Sequence, residues 1–332
     1  MSKATRNTLI APLAALLIAA AAVVAACGGS SSDTVSLVAY STPQEAYQEI
    51  IPAFQKTSAG KGSSFNQSYG ASGDQERAVE AGLKADVVAL SLAPDVDKLV
   101  KAGKVDANWD QNKFHGFVTN SVVVLATRKG NPKNIKTWDD LIKPGVEVIT
   151  PNPFTSGGAR WNIMAAYGAQ LEQGKSKQQA LDYLKKLFDH VPVQDKSARE
   201  SLQTFVGGKG DVLLAYENEA IAAQQKGQSL DYTIPDQTIL IQNPAAVTTG
   251  SNAKAKSFLD FLWTPQAQQI YASKGYRSVI PSLVDKSKYP TPPALFTIAK
   301  VGGWSKVKDE FFDPDKGYLA SIEQSKGVPT AK

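Results

Sequence analysis

The 332-residue chain carries 36 Lys and Arg against 31 Asp and Glu, a net charge of +5, with one cysteine and two histidines. A single cysteine excludes a disulfide within the chain, and His115 and His190 lack metal-ligand spacing. The basic residues are scattered singly or in pairs such as Arg128-Lys129, without the basic, aromatic-interleaved stripe of a nucleic-acid groove, so no nucleic acid is expected as a partner.

From the N-terminus, Lys3 and Arg6 precede an apolar run over residues 9–26 that ends at Cys27. That is the pattern of a secretory signal peptide. Small residues at Val24-Ala25-Ala26-Cys27 match a lipobox, in which the cysteine sulfur is acylated and the chain is cut before it. Residues 1–26 are therefore expected as a leader and 27–33, rich in Gly and Ser, as a lipid-anchored tether, with the rest extracytoplasmic. A permanent membrane span is the alternative, since the run approaches the ~18 to 20 apolar residues a span needs.

Beyond the tether, short apolar runs at 35–40, 85–92, 122–128, 146–150, 211–216 and 238–241 predict buried strands. Helical patterns at 44–54, 75–83, 138–141, 160–173, 177–188, 198–206 and 253–262 alternate with them, which predicts an α/β fold. Residues 286–293, with Pro290, Pro292 and Pro293, predict an extended loop before a helical tail at 301–332.

Four loops each follow a strand or lead into a helix with small or capping residues. Thr42 and Glu45 have capping-box spacing, with Pro43 at the first helical position. Tyr69-Gly70-Ala71-Ser72-Gly73 leads to a helix near Asp74, Thr155-Ser156-Gly157-Gly158-Ala159 to the helix at 160–173, and Ser197-Ala198-Arg199-Glu200 is a second capping-box sequence. The first turn of a helix has unpaired N–H groups and about half a positive charge, so four converging N-termini make an anion site. Glycine there lets the backbone approach a ligand closely.

Several longer stretches carry a resemblance to a known family. They are Ala85-Asp86-Val87-Val88-Ala89-Leu90, Arg128-Lys129-Gly130-Asn131-Pro132-Lys133, Val148-Ile149-Thr150-Pro151-Asn152-Pro153-Phe154-Thr155-Ser156-Gly157-Gly158-Ala159-Arg160-Trp161-Asn162, and Asp211-Val212-Leu213-Leu214-Ala215-Tyr216-Glu217-Asn218-Glu219-Ala220. With them, residues 35–319 resemble the periplasmic sulfate-binding proteins, the solute-binding components of ABC importers. The resemblance implies a type II periplasmic-binding-protein clamshell with a dehydrated anion in the interlobe cleft. One lobe is expected from 34–120 with 246–300, the other from 121–245. It also implies a monomer that delivers sulfate to membrane permease subunits and needs no cofactor or metal.

Carried over by position, the resemblance implies that the anion accepts hydrogen bonds from the N–H groups of Ser41, Ser72, Ser156, Gly157, Gly158 and Ala198, and from the Ser72 hydroxyl. Arg160 and Arg199 become residues that hold the loops and balance charge at longer range, and Glu217 a supporting residue. The chain departs from the family at Tyr216, where enteric members place a tryptophan whose indole N–H donates. A tyrosine hydroxyl donates as well, but it also accepts. Asp74 either complements the helix dipole from outside or accepts a hydrogen bond from hydrogen phosphate.

An enzyme, such as a secreted hydrolase, is the competing class. There is no G-x-S-x-G elbow and no Walker A sequence. Glu217 and Glu219 would share a face if they continued a strand, but supporting roles suit them better than acid/base chemistry. An adhesive lipoprotein would leave the clustered loops without a role. Among binding proteins, thiosulfate, phosphate and molybdate or tungstate are the alternatives to sulfate. An all-donor site favours a fully ionised tetrahedral anion, because a protonated oxyanion needs an acceptor opposite its hydroxyl.

Overall fold

The computed structural model describes residues 33–330, so the leader, Cys27 and most of the tether lie outside the described residues. Thr34–Tyr40 forms β1, whose side chains alternate between two covered faces and are buried from Val35 onward. Burial on both faces is what a parallel strand between two helical layers requires. Ser64–Gly70 forms β2, parallel to β1 with Thr34 opposite Ser64, and Val87–Ala89 forms β3 on the other side with Leu37 opposite Val87. On one face, α1 (Gln44–Gln55), α8 (Ala253–Leu262) and α9 (Pro265–Ser273) bring Tyr47, Phe54, Phe258 and Tyr271 into one cluster with Leu37, and the Phe54 and Phe258 ring centres are 5.3 Å apart. On the other, α2 (Ser72–Glu80) and α3 (Ala93–Lys101) bring Val79, Val96 and Leu99 against Val38 and Val88.

Two long strands leave this half for the other. β4 (Phe117–Arg128) has 12 residues and β8 (Gln237–Val247) has 11. At about 3.3 Å per residue each is long enough, roughly 35 to 40 Å, to run through both halves. β8 pairs with β3 at its C-terminal end (Val87 opposite Val247), and with the first part of β4, where the register shifts between Phe117 and Thr119. The later part of β4 pairs with β6 (Val212–Tyr216), Val123 lying opposite Tyr216, and with β7 (Leu230–Thr233). β5 (Val148–Ile149) lies parallel to β6. Among the described residues the strands form one connected sheet, β2-β1-β3-β8-β4-β6-β5, with β7 beside β4 and β9 (Ala294–Phe296) beside β8.

The second half repeats the layering. α4 (Gly157–Glu172) and α5 (Lys177–Asp189) bury Trp161, Met164 and Leu187 against Leu125 and Leu214. α6 (Ala198–Val206) and α7 (Glu217–Gln225) bury Phe205 and Ala220 against Val124 and Leu213 on the opposite face. The tail helices α10 (Gly303–Phe311) and α11 (Tyr318–Ser325) add Val307, Phe311 and Leu319 to the α4 core. β9 is parallel to β8 at Gln237–Ile239, and Phe296 fills the space over Gly168, where a Cβ would lie 2.3 Å from the ring. Residues 294–296, expected with the first lobe, are therefore built onto the second half.

Candidate functional site

The four expected loops converge. α2, α4 and α6 begin at Ser72, Gly157 and Ala198, and α1 begins after the turn at Ser41-Thr42-Pro43. Their first residues, with Ser91 and Tyr216, surround a cavity of only about 10 Å³, far below the roughly 300–1,000 Å³ of pockets that take drug-sized molecules. Ser41, Ser72, Ser156, Gly157, Gly158, Ala198 and Tyr216 all line it, and Tyr40, Thr42, Gly70, Ala71, Ser91 and Ser197 complete the wall. No charged residue is in that lining. The N–H groups of Ser72, Gly157, Gly158 and Ala198 belong to first helical turns, where the helix itself offers no acceptor.

The hydrogen bonds change which atoms of two serines are available. Ser156 N–H donates to the Asn152 carbonyl at 2.9 Å, so it is not the donor expected at this position. Its hydroxyl accepts from Ala159 N at 3.3 Å as the N-cap of α4, which leaves the O–H proton to donate elsewhere. At Ser72 the reverse holds. Its hydroxyl donates to Asp95 Oδ2 at 2.7 Å and accepts from Ser91 N at 2.9 Å, so the proton expected for a ligand is committed to a carboxylate. Ser72 contributes its N–H instead.

The supporting residues are placed as follows. Ser197 and Glu200 form the expected capping box, but Thr42 and Glu45 do not. Thr42 Oγ1 accepts from the Tyr276 hydroxyl at 3.3 Å, while the Glu45 carboxylate is held by Arg199 and Lys226 from the opposite half. Burial raises the Glu45 carboxyl, but the hydrogen bonds from Arg199 and Lys226 outweigh it and hold the group down at about 2. Arg199 also donates to the Ser41 carbonyl at 3.2 Å and the Thr42 carbonyl at 3.4 Å, which ties α6 to the first loop. Arg160 Nε donates to the Pro153 carbonyl at 2.8 Å and steadies the loop before α4. Asp74 lies in the first turn of α2, pairs with Arg77, and is not in the cavity wall.

Glu217 and Glu219 do not continue a strand, because the chain turns into α7 directly after Tyr216. Two residues apart on a helix, they point in opposite directions. Buried Glu217 accepts from Arg277 Nε at 2.6 Å and Nη2 at 3.0 Å, and Arg277 in turn bonds the backbone of Asn120 in β4. Glu219 Oε2 accepts from Tyr216 N at 3.4 Å. Tyr216 itself is 1 % exposed, with its hydroxyl 2.6 Å from Ser91 Oγ.

Residues 35–277 match the model of the bacterial extracellular solute-binding proteins. The chain belongs to this family. A sulfate-binding protein of Synechococcus elongatus is 46% identical over 304 residues, 88% of this chain and 87% of that one. The solved structure of the sulfate-binding protein SubI from Mycobacterium tuberculosis is 44% identical, covers 84% of this chain and 99% of its own, and superposes with a TM-score of 0.82. A thiosulfate-binding protein of Pseudomonas aeruginosa is 35% identical over 293 residues, 83% of this chain and 88% of that one. The fold seen here is mixed α/β and of the two-lobed, type II clamshell class.

Sequence reasoning missed Ser91, Asp95 and Asn243, which orient the wall. The signal at Ser91 was a lone hydroxyl inside the apolar run Ala89-Leu90-Ser91-Leu92, which reads as part of a strand. Asp95 and Asn243 had no local signal, since each acts through a partner distant in sequence.

Proposed function

We propose that this chain is an extracytoplasmic, monomeric binding protein that captures sulfate in the cavity between its halves and delivers it to the permease of an ABC importer. The anion accepts from the N–H groups of Ser41, Ser72, Gly157, Gly158 and Ala198 and from the Ser156 hydroxyl. The observation that carries the reading is the wall itself, made of first-turn amides, hydroxyls and glycines without a charged side chain. Such a wall suits a dianion that is fully ionised at neutral pH and presents only acceptors. The 44–46% identity to sulfate-binding relatives supports the same ligand, and the thiosulfate-binding relative makes thiosulfate the second reading.

The lobes of this reading are residues 34–120 with 246–293, and 121–245 with the segments from 294 onward, hinged on β4 and β8. Calorimetric titration of the protein with sulfate, thiosulfate, phosphate and molybdate tests the ligand. Sulfate is expected to bind tightest, and heat from thiosulfate alone would overturn the assignment. Cys27 is proposed as the lipidated anchor on the outer face of the membrane. Labelled palmitate should enter the wild type and not a Cys27→Ala variant, and equal labelling of both would remove the anchor from the reading.

A further inference from the structure

Ser91 stands where β3 leads into α3, and each of its polar atoms is engaged. Its N–H donates to Ser72 Oγ at 2.9 Å, and Ser72 passes its own proton to Asp95 Oδ2 at 2.7 Å. The direction of that chain is fixed, because an amide only donates and a hydroxyl has one hydrogen. The Ser91 carbonyl accepts from Trp161 Nε1 and from Asn243 Nδ2, both at 3.0 Å, which uses both of its lone pairs. Its hydroxyl is left for Tyr216, 2.6 Å away.

We infer that Ser91 is a specificity-determining residue of the site, and that it acts with Tyr216 as a reversible hydroxyl pair formed across the cleft. This rests on the oxyanion reading of the cavity. The pair holds two hydrogens, one of which lies between the two oxygens. The other is available to an anion oxygen, since both residues line the cavity. Either hydroxyl can be the internal donor, so the pair can present a donor or an acceptor to the ligand. The first-turn amides only donate, and the Ser156 hydroxyl is committed as an acceptor to Ala159 N. An oxygen that carries a proton, as in hydrogen phosphate, can be matched at Ser91 and Tyr216, the two wall hydroxyls that meet across the cleft. Burial pushes the Tyr216 phenol well above its ordinary range, so it keeps its hydrogen.

The pair also depends on closure. Ser91 belongs to the half built on β1–β3 and Tyr216 ends β6 in the other, so the bond exists only when the halves meet. Gly157 makes that approach feasible, since a Cβ there would lie 2.7 Å from both Ser91 Cβ and Oγ.

The test is a double-mutant cycle of Ser91→Ala and Tyr216→Phe, read by calorimetric titration with sulfate and by competition with phosphate at pH 6 and pH 8. Ser91→Ala leaves all its backbone hydrogen bonds in place, and melting of the ligand-free variants checks the fold. Each single variant should weaken sulfate binding about tenfold, the loss of roughly one hydrogen bond to a charged partner. The double variant should be no more than about threefold worse than the weaker single, because either change removes the same pair. Phosphate should compete with sulfate in the wild type, more strongly at pH 6, and should lose ground to sulfate in all three variants. A Ser91→Ala variant with wild-type sulfate affinity and competition would overturn the inference. So would a double variant near hundredfold, the product of two independent effects. A wild type that binds neither anion would overturn the oxyanion reading itself, an outcome distinct from both.

Discussion

Glu219, in the first turn of α7, is 5 % exposed, and its Oε1 has no hydrogen-bond partner among the described residues. An ionised oxygen in that position is costly. Burial pushes the carboxyl up to about 7, against the opposing pull of Arg199 and the Tyr216 amide, while Glu45 adds to the rise. Its folded value thus lies above its ordinary 4.5. Between about pH 4.5 and 7 the unfolded chain releases this proton and the folded chain keeps it, so stability falls as pH rises through that window and levels off above it. Glu219→Gln removes the titration and retains an oxygen to accept from the Tyr216 amide. Urea unfolding should show the variant more stable than the wild type at pH 8, by about 1–3 kcal/mol, and close to it at pH 4.5. Glu323, also raised to about 7, titrates in both proteins and cancels from the difference. A difference that does not change with pH would refute the assignment.

At the level of elements, what was legible in the sequence was what is decided locally. Ser156-Gly157-Gly158 and Ser197-x-x-Glu200 open α4 and α6 where their capping chemistry places them. Thr42-x-x-Glu45 has the same spacing and makes no box, because Arg199 and Lys226 approach Glu45 from residues more than 150 positions away. Local spacing contains no trace of that competition. The strand at Ser64–Gly70 escaped notice for a related reason. Its residues are mostly polar and half-exposed or exposed, and it is held as an edge strand by its ladder to β1, not by an apolar alternation. Conversely, the apolar run at 85–92 contributes a strand of only three residues, Val87–Ala89, since Ser91 turns into the cavity wall and Leu92 is already the N-cap of α3. The choice of donor atoms at Ser72 and Ser156 was likewise invisible, because it is set by Asp95 and Asn152 through the folded backbone.

For the whole molecule, the question is whether the halves move against each other, as capture of a buried anion requires. The structure is in the closed arrangement. Gly73 N–H donates across the cleft to the Thr155 carbonyl at 3.1 Å, Trp161 Nε1 reaches the Ser91 carbonyl, and Arg199 and Lys226 hold Glu45. The connection through β4 and β8, with the register shift between Phe117 and Thr119, is where a hinge would bend. Gly157 is the point of tightest approach. Its φ is not positive, so a side chain there is not opposed by backbone strain. The obstruction is steric: a Cβ would meet Ser91 Cβ and Oγ at 2.7 Å and Leu92 Cγ at 3.0 Å, all of them in the opposite half. Valine adds two further methyl groups, which the buried neighbours have no room to receive. Gly157 sits at the start of α4 and is not itself a member of an apolar cluster, so of the core residues only Leu92, at the cleft side of the α4 cluster, is pressed by its Cβ. Gly157→Val is therefore expected to melt within a few degrees of the ligand-free wild type but to be held open. In solution scattering the wild-type radius of gyration should shrink on adding sulfate, and the variant's should stay at its ligand-free value with no heat of binding. A variant that both compacts and binds would show that Gly157 does not gate closure, and a wild type whose radius is unchanged by sulfate would remove the hinge.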